Sequence, residues 1–383
     1  MKILIVRTFP NIINPDQYNM QEIGLAKALI RAGHTCGIVL YYGKNKDTIE
    51  KIPVLYGDEQ SEITVYRLRG FNILKNGFFP SLHKIVKEYD IIQVHEYDQI
   101  TSWFYYAWSK QPVVIYHGPY YHSFNKGYNL KCKIFDHTFL KIRQNKNAVC
   151  LAKSHAAADF LKRKGFFYVT AAGVGLDTEN FKTIKEKEET PISVPEGLFN
   201  LLYVGKIEER RNPYFLLGIM EKMLKSHEDI NCIIIGNGET RYTKEFLQKA
   251  EPLIQTGRLQ YYPCASQNQL ADIYRAAQLM IFPTNYDIFG MVLLEALYFE
   301  LPVISSENGG ADMLIRNGEN GYIIPEMDQD VWLERIEQLY QNKEEYLTVK
   351  NNIRKADKET LSWDAVAKTF IEAYENAKRK QKV

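Results

Sequence analysis

No apolar run in the 383-residue chain approaches the roughly 18 residues needed to span a bilayer. The expectation is a protein that is soluble, or at most lies on a membrane surface. The opening Met1-Lys2-Ile3-Leu4-Ile5-Val6 is too short for the core of a signal peptide and reads as a first β-strand. Cysteine is sparse. The five residues Cys36, Cys132, Cys150, Cys232 and Cys264 are odd in number, scattered and without a Cys-x-x-Cys pair. That argues against a disulfide framework and a zinc ribbon, and points to a reducing, cytoplasmic setting. Charge of one sign is lacking too, with 48 basic against 46 acidic residues and a net charge of +2, so no nucleic-acid partner is implied. There is no tandem repeat and no low-complexity segment. What is present, 45% hydrophobic and 25% charged residues, is the composition of an ordinary globular protein, with length for two or three domains.

Short β-branched runs alternate with helical patterns, the sequence form of a parallel α/β sheet. In the first half strands are expected at 3–6, 37–40, 91–95, 113–116, 148–151 and 168–171, with an amphipathic helix over 20–32 stopped by Gly33. A polar tract at 182–196 containing Pro191 and Pro195 has the composition of a linker. The pattern then restarts, with strands at 201–204, 232–235, 260–262, 279–282, 303–305 and 322–324 and helices at 214–225 and 270–276. The expected architecture is α/β, two doubly wound Rossmann-like domains facing across a cleft. In such sheets ligands sit at the carboxyl ends of the strands.

The most informative stretch is Pro283-Thr284-Asn285-Tyr286-Asp287-Ile288-Phe289-Gly290-Met291-Val292-Leu293-Leu294-Glu295-Ala296. A helix beginning near Gly290 would turn its unpaired amides and partial positive charge towards the loop, a seat for a diphosphate. Asp287 and Glu295 would flank it as hydroxyl acceptors, which describes a nucleotide sugar. A buried helix with an acidic cap is the plainer alternative. In Leu202-Tyr203-Val204-Gly205-Lys206-Ile207-Glu208-Glu209-Arg210-Arg211-Asn212-Pro213, a strand ends at Gly205 and a basic loop leads to a helix that Asn212 should cap. Lys206 and Arg211 suit a diphosphate, unless Glu208, Glu209 and Arg210 merely pair with one another on a solvated loop. Gly236, in Ile235-Gly236-Asn237-Gly238, and Gly309-Gly310 follow strands where backbone must approach a ligand or turn sharply.

His117 ends a first-half strand in Val113-Val114-Ile115-Tyr116-His117-Gly118, and His95 is a weaker candidate of the same kind. Asp328-Gln329-Asp330 has the form of an acidic metal motif, but it directly precedes an amphipathic helix and reads as an N-cap. No metal is expected. Between Lys126 and Lys164, ten basic residues face only Asp136 and Asp159. With Phe135, Phe139, Leu140 and Ile142 interleaved, this segment suits an anionic membrane surface, although a solvated basic face is the commoner explanation.

Taken in order, these segments resemble the retaining glycosyltransferases of family 4, glycosyltransferase group 1, with the GT-B fold. Asp287 and Glu295 correspond to the family's Glu-x7-Glu pair, followed by Leu301-Pro302-Val303-Ile304 and Gly309-Gly310. Lys206 and Arg211 correspond to its diphosphate clamp with the residue types exchanged, His117 to its His-Gly, and Val174-Gly175-Leu176-Asp177 to its hinge entry. Leu361-Ser362-Trp363 resembles the start of a last helix that crosses back to the first domain.

The resemblance implies an N-terminal acceptor-side domain over 1–181 with a returning helix at 362–383, a linker at 182–197, and a nucleotide-sugar domain over 198–361. It implies donor contacts from Gly205, Lys206, Arg211, Gly236, Asp287, Ile288, Phe289, Gly290, Met291, Val292 and Glu295, with Asp287, His117, Arg211 and Lys206 closest to the chemistry. The implied reaction is metal-independent and cofactor-free. It moves sugar from a nucleotide sugar, most readily a UDP-sugar, to a hydroxyl of a glycan or lipid-linked acceptor in bacterial surface polysaccharide synthesis, at the inner membrane face. The rivals are a non-catalytic glycosyltransferase-like partner subunit and a nucleotide-sugar 2-epimerase. Four departures stand out: Asp287 for the usual Glu, Glu300 where glycine is common, Met313 where Glu often follows Gly-Gly, and a first loop over 11–19 without Gly-Gly.

Overall fold

A computed structural model describes residues 1–14, 20–56, 59–73, 75–182 and 192–381. Most of the linker tract and the second half of the first loop lie outside the described residues. The chain divides into two compact units, one of Met1–Asp177 with Glu359–Val383, the other of Thr178–Lys358.

Among the described residues the first unit holds ten strands: β1 (Lys2–Val6), β2 (Thr35–Tyr41), β3 (Thr48–Tyr56), β4 (Glu59–Leu68), β5 (Phe71–Ile73), β6 (Asn76–Phe78), β7 (Ile91–His95), β8 (Val113–His117), β9 (Val149–Ala152) and β10 (Tyr168–Ala171). Eight of them form one sheet in the order β10-β9-β8-β7-β1-β2-β4-β3, parallel except for the β3–β4 pair, while β5 and β6 form a hairpin. The central strands are continuous buried apolar runs, as a sheet covered on both faces requires. β4 lies inside the sheet between β2 and β3 and buries Ile63, Val65 and Leu68, an alternation that was not singled out from the sequence. β3 escapes the sequence pattern because it is an edge strand and half solvated. Ile49 and Leu55 of β3 are exposed, beside Glu50 and Lys51, so no apolar alternation survives there.

The helix Gln21–Arg31 buries Ile23, Leu25, Ala26, Leu29 and Ile30. It stops at Gly33 (φ 82°), where the Gly33 and His34 amides return to Ile30 and Leu29 carbonyls at 2.9 and 3.0 Å. The last helix, Trp363–Gln381, belongs to this unit and packs on Gln21–Arg31, with Trp363, Phe370 and Tyr374 buried and Arg31 paired to Asp364 at 2.7 Å.

The second unit is one parallel sheet of β11 (Phe199–Val204), β12 (Ile230–Ile235), β13 (Leu259–Tyr262), β14 (Leu279–Phe282), β15 (Val303–Ser305) and β16 (Gly321–Ile323), in the order β13-β12-β11-β14-β15-β16. Its core includes Leu201, Ile234, Phe246, Ile281 and Trp332, all fully buried. Numbered from its own first strand the order is 3-2-1-4-5-6, the Rossmann order, and it reverses between β11 and β14. In the first unit the order reverses between β1 and β7. At such a reversal the connections leave to opposite faces of the sheet, so the loops beyond the two strand ends diverge and leave a crevice.

The basic segment is the helix Lys126–Phe135 followed by a wider turn over Asp136–Leu140. Its outward residues differ from those expected. Phe135 is buried, Phe139 and Leu140 are half-buried and Ile142 is exposed as expected, while Leu130 and Ile134, which were not singled out, also face out, with Lys126, Lys133 and Lys141 exposed. Helical periodicity puts Leu130 and Ile134 on one stripe and Phe135 off it. Among the described residues, no helix is long and apolar enough to cross a membrane.

Candidate functional site

At the switch point of the second unit, the loop after β11 is fastened to the loop after β14. The Asn285 amide donates to the Arg210 carbonyl at 2.9 Å, and Arg210 Nη1 donates to the Tyr286 carbonyl at 2.8 Å. Arg210 also pairs with Glu208 at 2.8 Å, so part of the charge pairing within the loop is real. Arg211 does not join it in the same way. Its Nη1 is paired with the Asp287 carboxylate, its guanidinium lies 5.3 Å from the centre of the Phe282 ring, and Glu208 is 3.9 Å from its Nε. Lys206 is exposed and makes no ion pair among the described residues. Asn212 was expected to cap the following helix with its side chain. It instead adopts the left-handed conformation (φ 54°, ψ 47°) and makes no capping bond, and Pro213 opens the helix Pro213–Met223.

The helix expected after the acidic loop runs Met291–Tyr298, entered through Gly290 in the left-handed conformation (φ 69°, ψ 68°). Its first turn carries no acid, so the helix end stays electropositive. Glu295 is buried within it and accepts a hydrogen bond from Tyr274 Oη at 2.9 Å. Two glycines have a structural cause. A Cβ on Gly310 would stand 1.4 Å from the Phe289 carbonyl oxygen, and one on Gly236 would stand 1.9 Å from that of Gly205. The glycine after β15 therefore lets the chain press directly on the loop that starts the helix, and Gly236 lets the ends of β11 and β12 close up. Asn308 locks the same corner by accepting from the Gly310 and Ala311 amides, both at 3.1 Å. One crevice thus gathers Lys206, Arg211, Asp287, a helix N-terminus and Glu295: two cations and a dipole for an anion, two carboxylates for hydroxyls.

His117 belongs to the other unit. It ends β8 as expected, yet the ring is fully buried, stacked on Phe160 and edge-on to Tyr97. Its Nδ1 contacts the Glu96 carboxylate, which also accepts from the Gly118 amide at 3.1 Å. Glu96 was not singled out from the sequence. It sits at φ 60°, a conformation uncommon for a non-glycine residue, directly after β7. Burial pushes the Glu96 carboxyl up, but the His117 ring, Lys153 and the Gly118 amide outweigh it and hold the group below its usual range. An acidic residue at the carboxyl end of a fully buried strand was the available signal.

His95 is buried and its pKa is lowered to about 4, chiefly by burial, with the neighbouring Glu22 opposing. Gln93 Nε2 lies 3.2 Å from His95 Nε2, which leaves the ring proton on Nδ1, 3.4 Å from Glu22. His95 is therefore a neutral structural hydrogen-bonder, and it is not a free acid or base. Among the described residues, Glu96, Asp98 and His117 form the one group whose ligand atoms, all within 4.8 Å of one another, could hold a metal ion. Asp98 is already paired with Lys131 at 2.8 Å. Asp328 accepts from the Asp330 amide at 2.8 Å as the N-cap of Gln329–Gln341, the role read from its spacing.

Comparison with known proteins bears on the fold and on the second half of the chain. Residues 184–356 match the family described as glycosyl transferases group 1. A D-inositol 3-phosphate glycosyltransferase of Corynebacterium kroppenstedtii is 26% identical over 201 residues, 51% of this chain and 44% of that protein. The chain spans half or less of the length of the curated relatives it matches. Among solved structures, sucrose-phosphate synthase from Thermosynechococcus elongatus superposes with a TM-score of 0.73 at 16% identity, covering 99% of this chain and 100% of that one. Anabaena HepE, solved in complex with UDP, superposes with a TM-score of 0.69 at 14% identity, covering 98% and 100%. The resemblance read from the motifs is matched by the group 1 glycosyltransferase family over residues 184–356, and the GT-B fold by solved structures over nearly the whole chain.

Proposed function

We propose that the protein is a retaining, metal-independent glycosyltransferase of family 4 that uses a nucleotide sugar, in first place a UDP-sugar. The observation that carries this reading is the Arg211–Asp287 pair at the β11/β14 switch point, beside the start of Met291–Tyr298. A buried helix with an acidic cap needs neither the exposed Lys206 nor a guanidinium held by the carboxylate of the neighbouring loop. In transfer, the bond from the anomeric carbon to the diphosphate oxygen breaks with its electron pair going to the diphosphate. Arg211, Lys206 and the helix amides stabilise that growing charge, as preorganised donors do. The acceptor hydroxyl bonds to the same carbon from the same face and passes its proton to the leaving phosphate.

Asp287 has two partners to serve, Arg211 and the sugar hydroxyls. As the shorter acid it pairs with Arg211, and as an ionised carboxylate it would accept from the sugar hydroxyls. Glu295 would accept from the ribose beside Tyr274. Lys126, Lys133 and Lys141 around Leu130, Ile134 and Ile142 favour a place on an anionic membrane surface, with a glycan or lipid-linked acceptor of the bacterial cell surface.

The test is nucleotide release from UDP-sugars with and without hydroxyl acceptors, in EDTA, with the product anomer read by NMR. Acceptor-dependent release with the donor's anomeric configuration kept is the expected result. Release of nothing in the presence of every acceptor favours a non-catalytic subunit, and epimer formation without acceptor favours a 2-epimerase.

A further inference from the structure

Glu295 is the most deeply buried of the charged groups at the β11/β14 crevice, 4% exposed where the Arg211 and Asp287 side chains keep 15% and 13%. It stands one turn into Met291–Tyr298. Side chains of a helix lean towards its N-terminus, so the carboxylate is carried back towards the crevice. A buried carboxylate is tolerated only where donors meet it. Tyr274 supplies one, with its Oη 2.9 Å from Glu295 Oε2.

The phenol is held in place from its own side. The helix that carries it, Gln267–Ala276, starts with a reciprocal cap: Ser266 Oγ accepts from the Gln269 amide at 3.2 Å, and Gln269 Oε1 from the Ser266 amide at 2.8 Å. The Tyr274 ring is 1% exposed and stacks on Phe299, with centroids 5.7 Å apart and an interplanar angle of 11°. Tyr298 meets the Phe299 ring edge-on, and the Arg275 guanidinium lies 4.9 Å from its centre. Packing thus fixes where the hydroxyl points. A carboxylate offers about four acceptor sites and a phenol takes one, so the same group can also serve a ligand.

We propose that Tyr274 is a positioning residue: its hydroxyl sets the orientation of Glu295, and through it makes the site select ribonucleotide donors over their deoxy analogues. This rests on the reading that the crevice seats a nucleotide with Glu295 towards the ribose. A buried acceptor built to meet hydroxyls rejects a ligand that lacks them, because it is then left short of partners. The selection lapses when the acceptor can turn away.

Calorimetric titration of the full chain with UDP and with 2′,3′-dideoxy-UDP tests it, in wild type, Tyr274→Phe, Glu295→Ala and the double variant. Wild type should hold UDP about tenfold or more tighter than the dideoxy compound. Tyr274→Phe keeps the stacked ring and should weaken UDP alone, leaving a preference of about threefold or less. Replacing Tyr274 by 4-aminophenylalanine, which restores a donor, should recover the preference. In the absence of the carboxylate the phenol should no longer matter, so the double variant should bind UDP as Glu295→Ala does. A preference that survives in Tyr274→Phe, or an equal loss of both ligands there, overturns the role of Tyr274 alone. If Tyr274→Phe does not fold, loss of the preference in the 4-aminophenylalanine chain overturns it. A wild type that binds both nucleotides alike removes the ribose role of Glu295 and the inference with it, but leaves the diphosphate seat standing. Binding of neither nucleotide to wild type removes the donor reading itself, and the inference with it.

Discussion

The two sheets place ionic groups at equivalent points and treat them in opposite ways. At the β11/β14 crevice the groups stand on loops: Lys206 is exposed and the Arg211–Asp287 pair is partly so. At the ends of β1, β7 and β8 the acids Glu22, Glu96 and Asp98 are buried, each facing a basic partner: Arg7 and the His95 ring, the His117 ring, and Lys131 respectively. The first arrangement leaves charge available to a ligand. The second spends charge on holding a scaffold, because a buried ion is tolerated only when compensated. Substitutions at the first should therefore move activity with little change in stability, and substitutions at the second should move stability first.

The sharpest break is Arg211→Ala. Transfer should fall about 100- to 1000-fold, as for loss of one charge-stabilising donor, while the melting temperature stays close to wild type. A large fall in melting temperature with unaltered kcat/KM would reverse the assignment of the two crevices. Glu96→Ala should do the opposite, removing about 3 kcal/mol of stability by stranding the fully buried His117. Denaturant unfolding measures that, and a loss under about 1 kcal/mol would show that the pair is not structural.

The pH dependence sharpens the same contrast. The folded-state pKa of His95 is lowered to about 4 from an ordinary 6.5, so the unfolded chain binds the extra proton first. Stability is full above the ordinary value and declines as pH falls from 6.5 towards 4, by about 2 kcal/mol at pH 5. His95→Gln should flatten that decline, and an unchanged slope would show that other groups set it. The smallest effect is expected at Glu300→Gly. Glu300 holds φ 65°, where glycine is at ease, and pairs with Arg354 at 2.9 Å and Lys358 at 2.7 Å. Relief of backbone strain and loss of two exposed ion pairs are each worth about 1 kcal/mol or less, so melting should shift by only a few degrees either way.

The same contrast explains what was legible in the sequence. Strands at 91–95, 279–282 and 303–305 were placed to the residue because they are buried parallel strands rich in apolar residues; the strand at 168–171, an edge strand without a buried residue, was placed from its short β-branched and aromatic run. The loop-then-helix around Gly290 was legible because an anion seat at a helix start is a local feature. β3 was not, since an exposed edge strand keeps charged residues among apolar ones, and neither was β4, which sets Glu62, Thr64 and Arg67 among its buried Ile63, Val65 and Leu68. Neither was Glu96, whose meaning depends on His117, 21 positions further on and adjacent only once β7 and β8 pair. Phe135 was assigned to the wrong face because composition says nothing of helical phase. Glu300 looked like a departure from a glycine position; it keeps the backbone conformation of glycine and adds two ion pairs.

The claim on which the rest depends is that the β11/β14 crevice seats the diphosphate. Calorimetry of UDP binding to wild type, Arg211→Ala and Glu96→Ala, at a temperature where all three are folded, tests it most directly. The account predicts saturable binding to wild type and Glu96→Ala with similar affinity, and at least a tenfold loss in Arg211→Ala. Equal affinity in wild type and Arg211→Ala would contradict it.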